Sequence, residues 1–200
     1  MAHLPGTLDD ITSALFPRTL AESDEMHALG LPSHGHAQGG FAPPPARSGR
    51  EVQRRALHAS AVLNEAYHYT TAVSFSRGIR FDLGDKTLFL ISGTASVDEA
   101  GHTAHAGDFR AQLWRTYRNI TALLAAEGAS WHDVVRTTCY LRDIERDYRD
   151  FNEIRTAFFE WLRLDPLPAS TGIQARLCRE DLLVEIEAIA VMAKSHADDR

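Results

Sequence analysis

Two glutamates, Glu185 and Glu187, stand two residues apart in the run Leu182–Met192, whose alternating apolar side chains read as a β-strand. Side chains at that spacing share a face, so the two Cα atoms lie roughly 6.6–7 Å apart and the carboxylates feel each other. The other face, Leu182, Val184, Ile186, Ala188, Ala190 and Met192, is wholly apolar and suits packing beneath helices. The glutamate face also carries Leu183, Ile189 and Val191. That is too apolar for free solvent, and a second copy of the chain is the simplest cover. The link Arg179–Leu182 joins this strand to an expected strand Ile173–Cys178. A hairpin so joined sets Cys178 opposite Leu183, Arg176 opposite Glu185 and Gln174 opposite Glu187. Two readings stay open: a structural Arg176–Glu185 ion pair at a subunit boundary, or a general acid or base. In the second, burial and Glu187 raise the proton affinity of Glu185, or Arg176 lowers it.

Other reactive side chains carry weaker signals. His102 and His105 sit in a glycine-containing loop and His34 and His36 in a Gly/Pro-rich stretch, but no HExxH or facial-triad context supplies a third ligand. No metal and no cofactor is expected. Cys139 reads as a small buried residue and Cys178 as a core or cleft-wall thiol, with no base evident to activate it. Ser92 lies in Ser-Gly-Thr-Ala-Ser rather than GxSxG, which makes it a hydrogen-bond donor and not a nucleophile. Arg77 and Arg155 are candidate anion contacts, each weighed against an ordinary surface charge.

These residues need a scaffold, and the sequence beyond Thr71 supplies one. Ala72–Phe81 and Thr87–Thr94 read as strands flanking the Asp-Leu-Gly-Asp turn at 82–85. Asp108 can cap a helix whose apolar positions Phe109, Leu113, Tyr117, Ile120, Leu123 and Leu124 recur at three and four residues and which ends at Gly128. Val134–Leu141 returns to strand chemistry. Asp147–Leu162 is a second amphipathic helix, broken by Pro166 and Pro168. The order β-β-α-β-α-β-β predicts an α+β fold with two helices on one face of a sheet. Residues 1–70 read as an extension with a short amphipathic stretch at Leu8–Phe16, a Gly/Pro-rich arm at Leu31–Arg50 and a ragged helix at Arg54–Tyr67. Residues 71–194 form the expected domain and 195–200 a tail.

The 200 residues, 44% of them hydrophobic, are enough for a sizeable core. A net charge of −6 offers no broad cationic field, so nucleic acid is not an expected partner. No apolar run approaches the ~20 residues of a membrane span, and the first ten residues lack the order of a signal peptide. A cytoplasmic protein with reduced thiols and no membrane partner is the expectation.

Leu90-Ile91-Ser92-Gly93, the Gly107–Gly128 helix, Asp133–Thr138, Phe151-Asn152-Glu153, Pro168-Ala169-Ser170 and Val184–Ala190 together resemble, in order, the Rid (YjgF, reactive intermediate deaminase) family. The resemblance spans about Thr71–Lys194. It implies a chorismate-mutase-like fold, a homotrimer and a small-molecule cleft between subunits. Ser92, Gly93, Asn152 and Glu185 match cleft positions of the family. Three cleft positions differ: Ser170 stands where the deaminases carry a carboxylate-holding arginine, Phe75 where they carry a tyrosine, and Gly172 where they carry a cysteine. Serine has no fixed charge and cannot make a bidentate contact.

The run Arg176–Ala188, with Ile91–Ser96, Gly101-His102, His105, Gly107-Asp108, Gln112 and Asn119-Ile120, resembles the C-terminal half of chorismatases. This second resemblance implies that Glu185 delivers a proton to an enolpyruvyl methylene, with Cys178 beside it and Arg176 orienting Glu185 or holding a substrate carboxylate. The expected site is therefore Glu185 as catalytic group, with Arg176, Cys178, Ser92, Gly93, Phe75, Asn152, Ser170, Thr171 and Gly172 around a small anionic substrate. The expected function is a cofactor-independent, chorismatase-like lyase or hydrolase. Imine or enamine deamination with another arginine as clamp, and a non-catalytic metabolite-binding trimer, are the alternatives.

Overall fold

The computed structural model describes residues 52–69 and 73–194. The amphipathic stretch Leu8–Phe16, the arm Leu31–Arg50 with His34 and His36, and the tail 195–200 lie outside them. Six strands form one sheet: β1 (Arg54–Ala56), β2 (Gly78–Leu83), β3 (Lys86–Ala95), β4 (Val134–Leu141), β5 (Ala169–Gln174) and β6 (Val184–Ala193). Their spatial order is β1-β2-β3-β6-β4-β5. Helices α1 (Phe109–Ala125) and α2 (Ile144–Leu162) pack on one face. The expected α+β architecture is the observed one.

The helices start where capping chemistry starts them. Asp108 accepts from the Ala111 amide at 2.9 Å, and Asp143 accepts from the Arg146 amide at 3.0 Å. The second cap places the start of α2 three residues before the expected Asp147. Between helices and sheet, Phe89, Val184, Ile186 and Ala190 of the strands meet Leu113, Ile120, Phe151 and Ile154 of the helices, all buried. Each such large side chain contributes roughly 1.5–3 kcal/mol. Tyr117 stacks on Phe158 at 4.6 Å and meets the edge of Trp131 at 5.5 Å. Burial drives the Tyr117 phenol far above its ordinary proton affinity, so it stays neutral.

Three expectations are corrected. Arg54–Tyr67 is not a helix: after β1 the chain turns, and only Ala66–His68 forms a single 3-10 turn. Its apolar residues make no helical stripe; Leu57, Leu63 and Ala66 are buried, with Leu57 and Leu63 in the main core. Strand β2 begins at Gly78, so Val73 and Phe75 precede the sheet and are exposed. The expected hairpin of Ile173–Cys178 with the last strand does not form. Instead β5 is Ala169–Gln174 and runs parallel to β4, while β6 pairs antiparallel with both β3 and β4. Both edges of β6 are thus occupied, and β5 arrives by the crossover through α2, which sets it parallel at the rim.

The alternation on β6 holds. Val184, Ile186, Ala188 and Ala190 are buried under the helices, whereas Glu185 and Ile189 are half-buried and Glu187 and Val191 exposed on the opposite, open face.

Candidate active site

Glu185 lies opposite Ala95 of β3 and Tyr140 of β4. Its carboxyl rests against Gly93: a Cβ at residue 93 would stand 2.0 Å from Glu185 Oε1. Gly93 falls where the β3–β6 register shifts between Ile91 and Thr94. Such an irregularity re-aims a strand locally. Ser92 is tied into the same feature, its amide donating to Arg77 O at 3.1 Å and its hydroxyl to Ser76 O at 2.7 Å. Burial first, and then the negative charge of Glu187, push the proton affinity of Glu185 above that of an ordinary carboxyl. The Tyr140 hydroxyl donates to Glu187 Oε2 at 3.0 Å. Burial and that bond raise the phenol as well, so it remains a donor. Beside this group an open depression of about 310 Å3 is lined by Ile79, Leu90, Ser92, Arg136, Thr138 and Glu187.

Arg176 does not face Glu185. With β5 parallel to β4, residues 175–183 form a connection rather than a strand, Arg176 and Cys178 are exposed on it, and Arg176 forms no ion pair among the described residues. The Arg176–Glu185 pair read from the sequence is therefore absent, and the proton affinity of Glu185 is raised without an arginine to oppose the shift.

Phe75 precedes Ser76, whose carbonyl accepts from the Ser92 hydroxyl. Its ring sits 5.5 Å from the Arg77 guanidinium, in the segment that Ser92 holds. Arg77 itself, a candidate anion contact in the sequence, is only 4% exposed. Its Nε and one terminal nitrogen donate to Asn64 O at 3.0 and 2.7 Å, and the same terminal nitrogen donates to the Tyr69 hydroxyl. Burial lowers its proton affinity. It braces the 58–69 segment instead of waiting for a ligand.

The remaining site residues gather elsewhere. Ser170 of β5 receives hydrogen bonds from the Thr137 hydroxyl at 3.1 Å and from Arg155 of α2 at 3.2 Å. Arg155 also donates to Asn152 Oδ1. On the open face Arg136 donates to Thr171 Oγ1 at 3.1 Å. Gly172 pairs with Cys139, whose thiol burial pushes up. Since β4 separates β5 from β6, this group stands about 10 Å or more from Glu185 across the sheet. The expected site residues thus fall into two groups on one chain: Glu185, Gly93 and Ser92 around β6 and β3, and Asn152, Ser170, Thr171 and Gly172 around β5, with Thr171 on the open face.

The sequence reading missed Tyr140 and Arg136. Alternation along Val134–Leu141 puts both on the face of the glutamates, and that signal was available. His102 lies 3.8 Å from Asp98, and among the described residues no cluster of three or more His, Cys, Asp or Glu side chains could hold a metal ion. Among the described residues no helix is long and apolar enough to cross a membrane.

Residues 66–192 match the family described as Endoribonuclease L-PSP. The chain belongs to this family, also called Rid or YjgF. This Rid chain is 33% identical over 110 residues to the 2-iminobutanoate/2-iminopropanoate deaminase of Salmonella typhimurium, an alignment covering 55% of this chain and 82% of that protein. It is 32% identical over 103 residues to the 3-aminoacrylate deaminase RutC of Acinetobacter baylyi, covering 52% and 78%. The structure of the YjgF gene product of E. coli superposes with a TM-score of 0.52 at 28% identity, covering 62% of this Rid chain and 91% of the other.

Proposed function

We propose that this Rid family member hydrolyses small carboxylate-bearing imines and enamines, with Glu185 carrying the proton, in a cleft completed by a second copy in a homotrimer. The observation that carries the reading is the Glu185 carboxyl seated on Gly93 with its proton affinity raised by burial and Glu187. A carboxyl whose proton affinity is raised above the ordinary value can act as a general acid. The two relatives named as deaminases support the choice of nitrogen chemistry. The division into two groups, read as half-sites, supports a cleft shared between copies, and the apolar open face, with Leu90 and Val191 each 39% exposed, supports the assembly.

For an enamine, CH2=C(NH2)–COO−, Glu185 delivers its proton to the methylene carbon and an iminium forms. Water adds to the iminium carbon, its extra proton returns to the glutamate or to nitrogen, and the C–N bond breaks. The products are a 2-oxo acid and ammonia, with one water consumed. Tyr140, opposite Glu185 and bonded to Glu187, is a polar group beside this chemistry, and Ser92 lines the adjacent depression.

A second reading uses the same proton. Protonating the methylene of an enol ether gives an oxocarbenium ion, as in the chorismatase-like reaction expected from Arg176–Ala188. The uncharged Ser170 supports it, since that position supplies no arginine for an amino-acid-derived carboxylate.

The test is product analysis on freshly generated 2-iminobutanoate and 3-aminoacrylate, with chorismate in parallel. Ammonia release from the first two, reduced 10²–10⁴-fold in Glu185→Gln, is expected. Pyruvate release from chorismate alone would establish the second reading, and ligand binding with no product would overturn both. Glu187→Gln provides the pH check. Removing that negative charge lowers the proton affinity of Glu185, so the protonated acid is lost earlier and the alkaline limb of kcat moves to lower pH.

A further inference from the structure

We propose that Arg155 of α2 is the substrate-binding residue that receives the carboxylate of the small anionic substrate. Asn152 and Arg155 stand three residues apart on one helical face. The Arg155 guanidinium lies 4.8 Å from the Phe151 ring centroid. One terminal nitrogen donates to Ser170 Oγ at 3.2 Å and the other to Asn152 Oδ1. Both acceptors are neutral. A guanidinium has five N–H donors, so these bonds orient the group without exhausting it.

The charges around Arg155 are already balanced by other residues. Asp150 and Glu153 face Arg110 at 3.2 and 3.1 Å, and Asp147 faces Arg146 at 2.7 Å. Among the described residues Arg155 is in no ion pair, so its charge stands uncompensated beside an exposed strand. The strand leaves room for a ligand. All six residues of β5 are exposed, and a Cβ on Gly172 would find only Tyr148, at 3.7 Å. A planar carboxylate entering this notch meets a fork already held in place. The helix thereby supplies the cation that Ser170 lacks, and the serine hydroxyl helps aim it. A carboxylate fits better than a bare point anion because the fork offers parallel N–H groups.

The assignment rests on the anionic-substrate reading above. The probes are 2-oxobutanoate and its methyl ester, titrated calorimetrically into the wild-type protein, Arg155→Met and Arg155→Lys, with inorganic phosphate as a third ligand. The wild type is expected to bind the acid at least 10-fold more tightly than the ester. Arg155→Met should lose that preference by weakening the acid 10–100-fold while leaving the ester unchanged, and Arg155→Lys should recover part of it. In turnover, KM should rise with kcat largely kept. If wild type binds the acid selectively and both variants do so equally well, Arg155 is not the anchor although the substrate class stands. If phosphate competes as well as the oxo acid, the site is a general anion site and the carboxylate assignment is overturned. If wild type neither binds nor turns over any of these acids, the functional reading fails, and this assignment with it.

Discussion

At residue 93 a side chain is excluded by what lies against it. The atom in the way, Glu185 Oε1, is the end of a flexible side chain rather than backbone. Gly93→Ala should therefore leave the fold intact and swing the carboxyl out of place. Displacing a catalytic group by about 1 Å costs on the order of 100-fold, so kcat/KM should fall by about that factor while the circular dichroism melt stays close to wild type. Melting and loss of secondary structure on this substitution would show that Gly93 serves packing instead. The residue scale is also where reading the chain alone worked best and worst. That Glu185 stands on the face opposite the helix-side core was legible because strand alternation fixes it. The Arg176 pairing was not, because it depended on which strand lies beside β6, and short-range spacing carries no information about that.

Helix α2 positions Asn152 and Arg155, and its first turn is organised by Asp143 accepting from the Arg146 amide, with Glu145 and Asp147 placed favourably toward the helix dipole. Asp143→Ala should cost about 1 kcal/mol, read as a lower urea midpoint at unchanged m-value. It should weaken acid binding more than it slows the chemical step at Glu185, which sits on another element. An unchanged midpoint would mean the cap is redundant with the acids that follow it. Among the elements, Val134–Leu141 is found with the bounds its β-branched run announces, and α1 with the cap and the glycine stop that bracket it. β5 escaped notice because every one of its residues is exposed and no apolar period marks it. β1 escaped because three residues rich in arginine look like any polar segment; what makes them a strand is Arg55 meeting Glu127 and β2 lying alongside.

For the whole molecule, the proposed assembly rests on the open sheet face. Leu90 and Ile189 are cross-strand partners there, and Leu90 lies outside the helix-side core. Leu90→Asp should convert a three-chain species in size-exclusion chromatography with light scattering to a single-chain one. Activity should fall in proportion, because the half-sites separate, while the far-ultraviolet spectrum is kept. A wild-type chain that runs as a monomer at working concentration would remove the shared cleft and force both half-sites to act alone.

The central place of β6 bears on biosynthesis. Without β6, β1 to β3 pair only with one another and β4 only with β5; β6 joins the two groups by pairing with β3 and β4, and it is translated after all of them. A chain ending before Val184 lacks the strand that joins the two groups and leaves the edges of β3 and β4 that face β6 without backbone partners. The chain thus depends on its last strand, and a truncation before it would be expected to yield a sticky, degradable product and no shortened, folded domain.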